Sequence, residues 1–425
     1  MVILLAGGTG FIGRHLAERL RQRGHRVIVV RRSGPPTPDT VQGDFTRDLD
    51  ATHWVSRLRD VEVVVNAVGI LRERPEATFD AIHTRGPQAL FAACAMAGVR
   101  RVIQISALGA DDGDTGYFRS KRRADQFLAT LPLDWTIVQP SVVYGPGGTS
   151  ARLFDMLASM PVIAVPGRGR QPVQPIHIDD LAHALANLIE RDDLVRRRVA
   201  LVGPRALELR TFLLELRATL GLGSAPVLPI PMSWMRIGAR LAGLLPGSLL
   251  DRETLAMLER GNVAEPHATR DLLGREPRPV AAFVRPEAAA ARALSAQLQW
   301  LLPLLRVSIA LVWIWTGIVS LGLYPPAASY QLLARTGVSG MLAPLALYGA
   351  ALLDLALGIA TLAMRRRRTL WQVQMALIVV YTLIITFALP EYWLHPYGPV
   401  LKNLPMLAGI YLLYILEPRA AAAGS

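Results

Sequence analysis

The sequence predicts two folds in series: an α/β domain with a doubly wound parallel sheet and a small helical lobe, then an all-α bundle of four transmembrane helices. Three observations predict this. The first 30 residues read as strand, glycine loop, helix and strand. Apolar runs ending in small or polar residues continue to about residue 205. From residue 301 onward there are four long apolar stretches, and residues 301–425 hold eight basic and three acidic residues, so residues 1–300 carry +8 of the chain's net +13. A chain of 425 residues exceeds one core, and the expected divisions are 1–205, 206–290 and 298–418.

Composition narrows the function classes. Lys121 and Lys402 are the only lysines, so the basic charge is almost all arginine, and it is scattered without interleaved aromatics. That argues against a nucleic-acid partner. It leaves open attraction to anionic lipid. Cys94 is the single cysteine, which excludes an internal disulfide, and its apolar neighbourhood suits a core thiol in a reducing compartment. No metal site is expected. Met1–Ala6 lacks a basic leader and reads as a buried first strand rather than a secretory signal.

In the first βαβ unit, Val2–Ala6 precedes Gly7-Gly8-Thr9-Gly10-Phe11-Ile12-Gly13, a helix bearing Leu16 and Leu20 follows, and Val27–Val30 is the next strand. Glycines let the backbone approach a pyrophosphate, whose charge meets the helix N-terminus. Gly7, Thr9, Gly10, Phe11, Ile12 and Gly13 are therefore the candidate phosphate-binding residues of a Rossmann-type domain. Arg31-Arg32 stands where an NAD-preferring protein usually has an acid, and a guanidinium there suits the 2′-phosphate of NADP. Two solvated arginines, with NAD as cofactor, is the other reading.

The Gly7-x-x-Gly10-x-x-Gly13 spacing resembles extended and atypical short-chain dehydrogenases/reductases. The resemblance implies that Asp44 contacts adenine and that the Asn66-Ala67-Val68-Gly69 turn lies against the cofactor. Downstream, Ser106 ends a strand, and Tyr117 and Lys121 lie four apart on one helical face. A cationic Lys121 near the Tyr117 hydroxyl would lower the phenol pKa and hold the nicotinamide ribose, with Ser106 orienting the substrate. The alternative is an exposed helix start in a protein that binds the cofactor without chemistry. Ser106–Ala110 with Tyr117–Lys121 is most similar to the atypical branch, which includes NmrA-like proteins and the nucleotide-binding accessory subunit of respiratory complex I. His83 stands where many extended members have an Asn, so a relay through that position is altered here, or His83 simply packs.

Trp135–Val138 and Gln139-Pro140 resemble the family's sixth strand, and the loop that follows implies Pro140 beside the nicotinamide. Asp179 or Asp180 is the expected N-cap of the next helix, with His177 structural or facing the cleft. Between Leu207 and Pro279, amphipathic patterns broken by proline suggest a substrate-covering lobe. In it Trp234, Ile237, Leu241 and Leu245 line one side of a helix, with Arg236 and Arg240 on another. Packing on the core and lying in lipid headgroups both remain open. Arg275–Ala291 reads as a linker.

The four apolar stretches are roughly 301–323, 341–364, 370–389 and 400–416, against the ~20 residues that cross a bilayer. They resemble a DoxX-like domain, including His395–Pro399 and Lys402–Pro405. Arg365–Arg368 marks a cytoplasmic loop by the positive-inside rule, which places both termini and the cofactor site in the cytoplasm of a bacterium, at its inner membrane. Trp313, Trp315, Trp371, Tyr392 and Trp393 are candidate interface anchors. Asp354 falls in hydrocarbon with Arg306 its nearest expected partner, either as a pin between helices or as a proton or quinone site. The expected function is NADP(H)- or NAD(H)-dependent oxidoreduction of a lipophilic carbonyl, alcohol or quinone from the bilayer. The alternatives are a non-enzymatic NAD(P)-binding sensor or assembly protein, and an NAD-dependent epimerase/dehydratase. The pattern specifies neither the substrate nor an oligomeric state.

Overall fold

The computed structural model describes residues 1–34, 37–243 and 252–417 and divides into two compact units, Met1–Ala296 and Gln297–Ser425. In the first unit, β-branched runs supply the strands, as such residues pack well on a pleated, buried surface. These are β1 (Val2–Ala6), β2 (Arg26–Arg31), β3 (Thr40–Gln42), β4 (Val63–Asn66), β5 (Arg101–Ile105), β6 (Asp134–Pro140) and β7 (Arg197–Leu201). They form one parallel sheet in the order β7-β6-β5-β4-β1-β2-β3. The order reverses between β1 and β4, the switch point where ligands bind in such sheets.

Helices α1 (Phe11–Gln22), α2 (Gly86–Ala97), α3 (Gly116–Thr130), α4 (Thr149–Ser159) and α5 (Ile178–Glu190) follow in chain order. One face of the sheet carries Leu16, Leu20 and the apolar side of α5, and the other carries Leu90, Phe91, Cys94 and Leu128. Cys94 is fully buried, and burial pushes its thiol pKa up, so it is an inert core thiol. Four further helices follow, α6 (Leu209–Thr219), α7 (Met232–Gly243), α8 (Arg252–Arg260) and α9 (His267–Leu273), and Leu272 and Leu273 of α9 join the core under the sheet.

Two local expectations are corrected. The N-cap of α5 is His177, whose Nδ1 accepts the Asp179 N–H at 3.2 Å. Asp179 and Asp180 lie in the first turn of α5, where Arg278 and Arg275 hold them at 2.8 and 2.6 Å. Those arginines also show that residues 275–291 are not a free linker. Helix α10 (Pro286–Ile318) begins within that stretch, and its Arg292 donates to the buried Asp155 carboxylate at 2.7 Å.

The second unit holds the rest of α10, then α11 (Pro326–Arg335), α12 (Leu342–Ala363), α13 (Arg368–Ala388) and α14 (Asn403–Leu416). Three helices are long and apolar enough to cross a membrane: Pro286–Leu323, counting the turn after α10, and α12 and α13. The fourth, α14, has 14 residues. Helix α11 was not anticipated. Close packing here needs small residues: a Cβ on Gly358 would lie 2.9 Å from the Ile314 backbone nitrogen.

The polar interior of this unit differs from the expectation. Arg306 faces Glu417 at 4.0 Å, not Asp354, and Arg367 approaches the same carboxylate at 3.7 Å. Asp354 is buried, and its Oδ1 has no hydrogen-bond partner among the described residues. Trp313 and Trp371 are core residues rather than interface anchors. Their indole N–H groups donate to Gln374 Oε1 at 3.1 Å and to Glu417 at 3.4 Å. Trp315 and Trp393 do face outward.

Candidate active site

The C-terminal ends of β1, β2, β4, β5 and β6 lie along one edge of the sheet. The register pairs Ala6 with Asn66, Asn66 with Gln104, and Ile105 with Val138. The candidate residues accordingly gather just past that edge: the glycine loop after β1, Arg31-Arg32 after β2, Asn66–Gly69 after β4, Ser106 after β5 and Pro140 ending β6.

The glycine loop fits a nucleotide phosphate. Gly7 turns the chain at φ +79°, and the Gly10 N–H closes the turn on the Gly7 carbonyl at 2.9 Å. A Cβ on Gly13 would lie 2.1 Å from the Gly7 oxygen, so α1 can pack this close to β1 only with glycine there. Thr9 and Gly10 are exposed, and Phe11 and Ile12 are half-buried. Helix α1 starts with no side-chain cap and no acid in its first turn. Its leading N–H groups and positive dipole end thus suit an anion. Arg31 and Arg32 are exposed. Asp44 is half-buried, and its Oδ1 accepts the Thr46 N–H and hydroxyl at 2.9 and 2.8 Å.

Asn66 shapes the turn beside this loop: its Oδ1 accepts the Val68 N–H at 3.1 Å and its amide donates to Gln104 Oε1 at 2.8 Å. Lys121 reaches the same turn from α3, donating to the Val68 carbonyl at 3.3 Å and to the Ile105 carbonyl at 3.1 Å. A Cβ on Gly69 would be 3.3 Å from the Lys121 Nζ and 3.6 Å from His83 Nε2, so these groups are neighbours. Burial lowers the Lys121 pKa to about 8.

His83 is a structural imidazole. It sits in a π-helical turn, Asp80–Arg85, stacks on Phe79 and meets Tyr117 edge-on at 5.3 Å. Its Nε2 accepts the Ile70 N–H at 2.9 Å, which leaves the proton on Nδ1 to donate to Ser120 Oγ at 3.0 Å. Burial, helped by the Lys121 charge, lowers its pKa to about 2, so it stays neutral.

Tyr117 is half-buried in the ring cluster with Phe79, His83 and Phe118. The expected lowering of its pKa by Lys121 is not what the surroundings produce. Its crowded site, and then the negative Asp125, push it up to about 12. Ser106 is buried, and its hydroxyl donates to Asp125. Asp125 is fully buried, and desolvation lifts its pKa to about 6 against the opposing hydrogen bond from Ser106 and the charge of Lys121. A polar layer of Asn66, Gln104, Ser106, Lys121 and Asp125 thus backs the cleft.

The sequence reading missed Gln104 and Asp125. The signal for Asp125 was present: four residues after Lys121, it continues the helical face of Tyr117 and Lys121. It also missed Glu253, whose carboxylate accepts the Gly116 N–H at 2.9 Å at the start of α3. That contact spans 137 positions and carries no local signal. A cavity of about 210 Å³ is lined by Leu71, Arg72, Glu73, Phe79 and Glu253, and the Phe79 ring in its wall meets Tyr117 edge-on at 6.0 Å.

Residues 3–203 match the NAD dependent epimerase/dehydratase family, and residues 310–411 match the DoxX-like family. A ceramide reductase of Caulobacter vibrioides is 31% identical over 189 residues, 43% of this chain and 59% of that protein. The 40 kDa subunit of the mitochondrial NADH-ubiquinone oxidoreductase of Neurospora crassa is 27% identical over 208 residues, 47% of this chain and 55% of that one. The chain thus spans a little over half the length of these curated relatives. An Escherichia coli NADPH-dependent quinone oxidoreductase complexed with NADPH superposes with a TM-score of 0.54 at 17% identity, over 68% of this chain and 99% of that one. This last likeness is one of fold.

Proposed function

Taking the chain as an epimerase/short-chain-dehydrogenase-like NAD-binding domain joined to a DoxX-like membrane domain, we propose that it is a membrane-anchored NAD(P)-dependent oxidoreductase. Its substrate is a lipophilic carbonyl, alcohol or quinone. A bound nicotinamide supplies or accepts the hydride. We assign the cofactor-binding domain to 1–205, the covering lobe to 206–290 and the membrane domain to 298–418. The glycine loop and α1 hold the pyrophosphate, Asp44 the adenine end, and Asn66–Gly69, Lys121 and Pro140 the nicotinamide end. Arg31 and Arg32 favour NADP over NAD. The Arg365–Arg368 turn lies on the cytoplasmic side of a bacterial inner membrane, and both termini with it.

One observation carries the reading: Tyr117 and Lys121 stand on successive turns of α3, beside the Asn66–Gly69 turn at the edge where the glycine loop opens. With its pKa near 12, the Tyr117 hydroxyl keeps its proton at neutral pH and is the acid that protonates a substrate oxygen. At neutral pH it thus stands in the protonation state that carbonyl reduction uses. The Lys121 ammonium stabilises the developing oxyanion. With its pKa near 8, the rate falls as pH rises through 8 and the ammonium loses its proton.

The test is NADPH oxidation by detergent-solubilised protein, with a short-chain quinone and a total membrane lipid extract as acceptors. Tyr117→Phe keeps cofactor affinity and lowers turnover by about 100-fold or more, the usual scale of acid catalysis. A second reading is a cofactor-binding module without chemistry. It is favoured by the engagement of Lys121 with two backbone carbonyls and of Ser106 with Asp125. Bound nucleotide with no NADPH oxidation on either acceptor selects that reading, whereas an undiminished rate in Tyr117→Phe removes Tyr117 as the acid.

A further inference from the structure

Large apolar side chains on the surface of the N-terminal unit are mostly single, which is ordinary for a protein in water. Helix α7 is the exception. Trp234 is 68% exposed and Ile237, one turn on, is 50% exposed. The helix already has a packed side: Ala239 is fully buried and Met235 is half-buried. The Trp234–Ile237 face is therefore a second apolar face, turned away from the packed one. Of the two fates open to this stripe from sequence, packing on the core is not the one these two residues adopt. Leu241 and Leu245, the other members of the stripe, have side chains outside the described residues.

Three facts identify what covers this face. Helix α10 is continuous from Pro286 to Ile318, with Arg292 tied to Asp155 and Ala293 and Ala296 buried, before its exposed apolar stretch begins at Leu301. The N-terminal unit is therefore joined through this helix, within a few residues of chain, to the first candidate span. Arg236 and Arg240 are exposed on the same helix, and residues 1–300 carry a net +8, which complements anionic headgroups. An exposed Trp with a neighbouring aliphatic residue and flanking arginines is also the composition that settles at a membrane interface.

We propose that the Trp234–Ile237 face of α7 docks on an anionic lipid surface and holds the lobe beside the Tyr117 cleft against the bilayer. The proposal rests on the membrane-anchored reading above and extends it to how the substrate arrives. Helix α7 packs on α8, where Arg236 pairs with Glu259 at 3.2 Å. Helix α8 in turn contributes Glu253 to the 210 Å³ cavity and to the Gly116 N–H, and Met257 to the cluster around Tyr117. The docked face and the wall of the cleft are thus two sides of one pair of helices. A lipophilic molecule leaving the headgroup layer beneath α7 enters without crossing bulk water.

The test uses the full chain, because the buried Cys94 leaves an introduced cysteine as the reactive thiol. An environment-sensitive fluorophore is placed on Ile237→Cys, on Leu383→Cys in α13 and on Met96→Cys in α2. Each protein is reconstituted in phosphatidylcholine vesicles with and without phosphatidylglycerol. Iodide quenches from water and spin-labelled lipid quenches from the bilayer. Position 237 should resemble position 383, quenched by lipid and several-fold less sensitive to iodide than position 96, and phosphatidylglycerol should strengthen that protection. Iodide access at 237 in both lipids, with 383 protected, overturns the docking while leaving the anchor intact. Iodide access at 383 removes the membrane reading itself. Protection at 237 that grows with protein density and lacks lipid quenching means a second copy covers the face, and also overturns the proposal. Trp234→Glu, tested with the probe at 237, should raise iodide access, and an unchanged value would count against the lipid contact.

Discussion

The two units bury opposite kinds of surface. In Met1–Ala296 the strands and helices hide nearly all large apolar side chains, whereas in Gln297–Ser425 residues such as Leu345, Leu352, Ile359, Leu383, Phe387 and Tyr411 face outward. The second unit instead draws polar groups inward: Gln374 bridges Trp313 and Thr361, and Glu417 gathers Arg306 and Arg367. Each pattern matches its solvent. Water drives apolar area inward, while hydrocarbon does not, and a polar group there must find its partner inside the bundle. The Trp234–Ile237 face of α7 follows the rule of the second unit while belonging to the first.

Five variants would break or sharpen this contrast. The largest effect is expected from Gly13→Val, which sets a branched side chain 2.1 Å from the Gly7 carbonyl. Loss of NADPH binding and unfolding of the N-terminal unit should follow, by more than the ~1–3 kcal/mol typical of overpacking, since backbone must move. Far-ultraviolet circular dichroism on heating should show the bundle's helices surviving. If both units melt together, they are not independent.

Next is cofactor choice. Arg31→Asp with Arg32→Ala should weaken NADPH by about 10–100-fold, the scale of hydrogen bonds to a charged group, and leave NADH nearly unchanged. Isothermal titration with both nucleotides measures it, and equal losses would assign the arginines to the surface alone.

In the bundle, Glu417→Gln leaves Arg306 and Arg367 without their carboxylate and should lower the thermal midpoint by several degrees, as 1 kcal/mol moves it by roughly 2–8 °C. Asp354→Asn should leave the midpoint almost unmoved, because Asp354 has no hydrogen-bond or ion-pair partner among the described residues. The reverse ranking would restore the pairing of Asp354 with Arg306 that the sequence suggested.

The smallest effect is local. Asp125→Asn removes the negative charge that opposes burial of Lys121, so the Lys121 pKa should fall below about 8. Lysine-labelled nuclear magnetic resonance reads this directly, since only Lys121 and Lys402 contribute signals. An unmoved Lys121 would show that Asp125 serves Ser106 alone.

Local pattern was enough for much of this molecule. Glycine spacing, the Val-rich strands, the Tyr117–Lys121 interval and the apolar stretches all record short-range geometry: a turn that needs no Cβ, a period of two, a shared helical face, a length that matches a bilayer. Those rules act within a few residues, so the sequence determined the two fold classes, the sheet edge that carries the candidate site and the approximate helices of the bundle. Partner choice was decided only by the tertiary structure. Arg306 meets Glu417 across 111 positions of chain, Glu253 closes the start of α3 from 137 positions away, and Asp125 accepts the Ser106 hydroxyl from within α3. A buried polar group accepts whichever complementary atom the fold brings within about 3 Å, and that meeting depends on packing between distant elements, which no local period encodes.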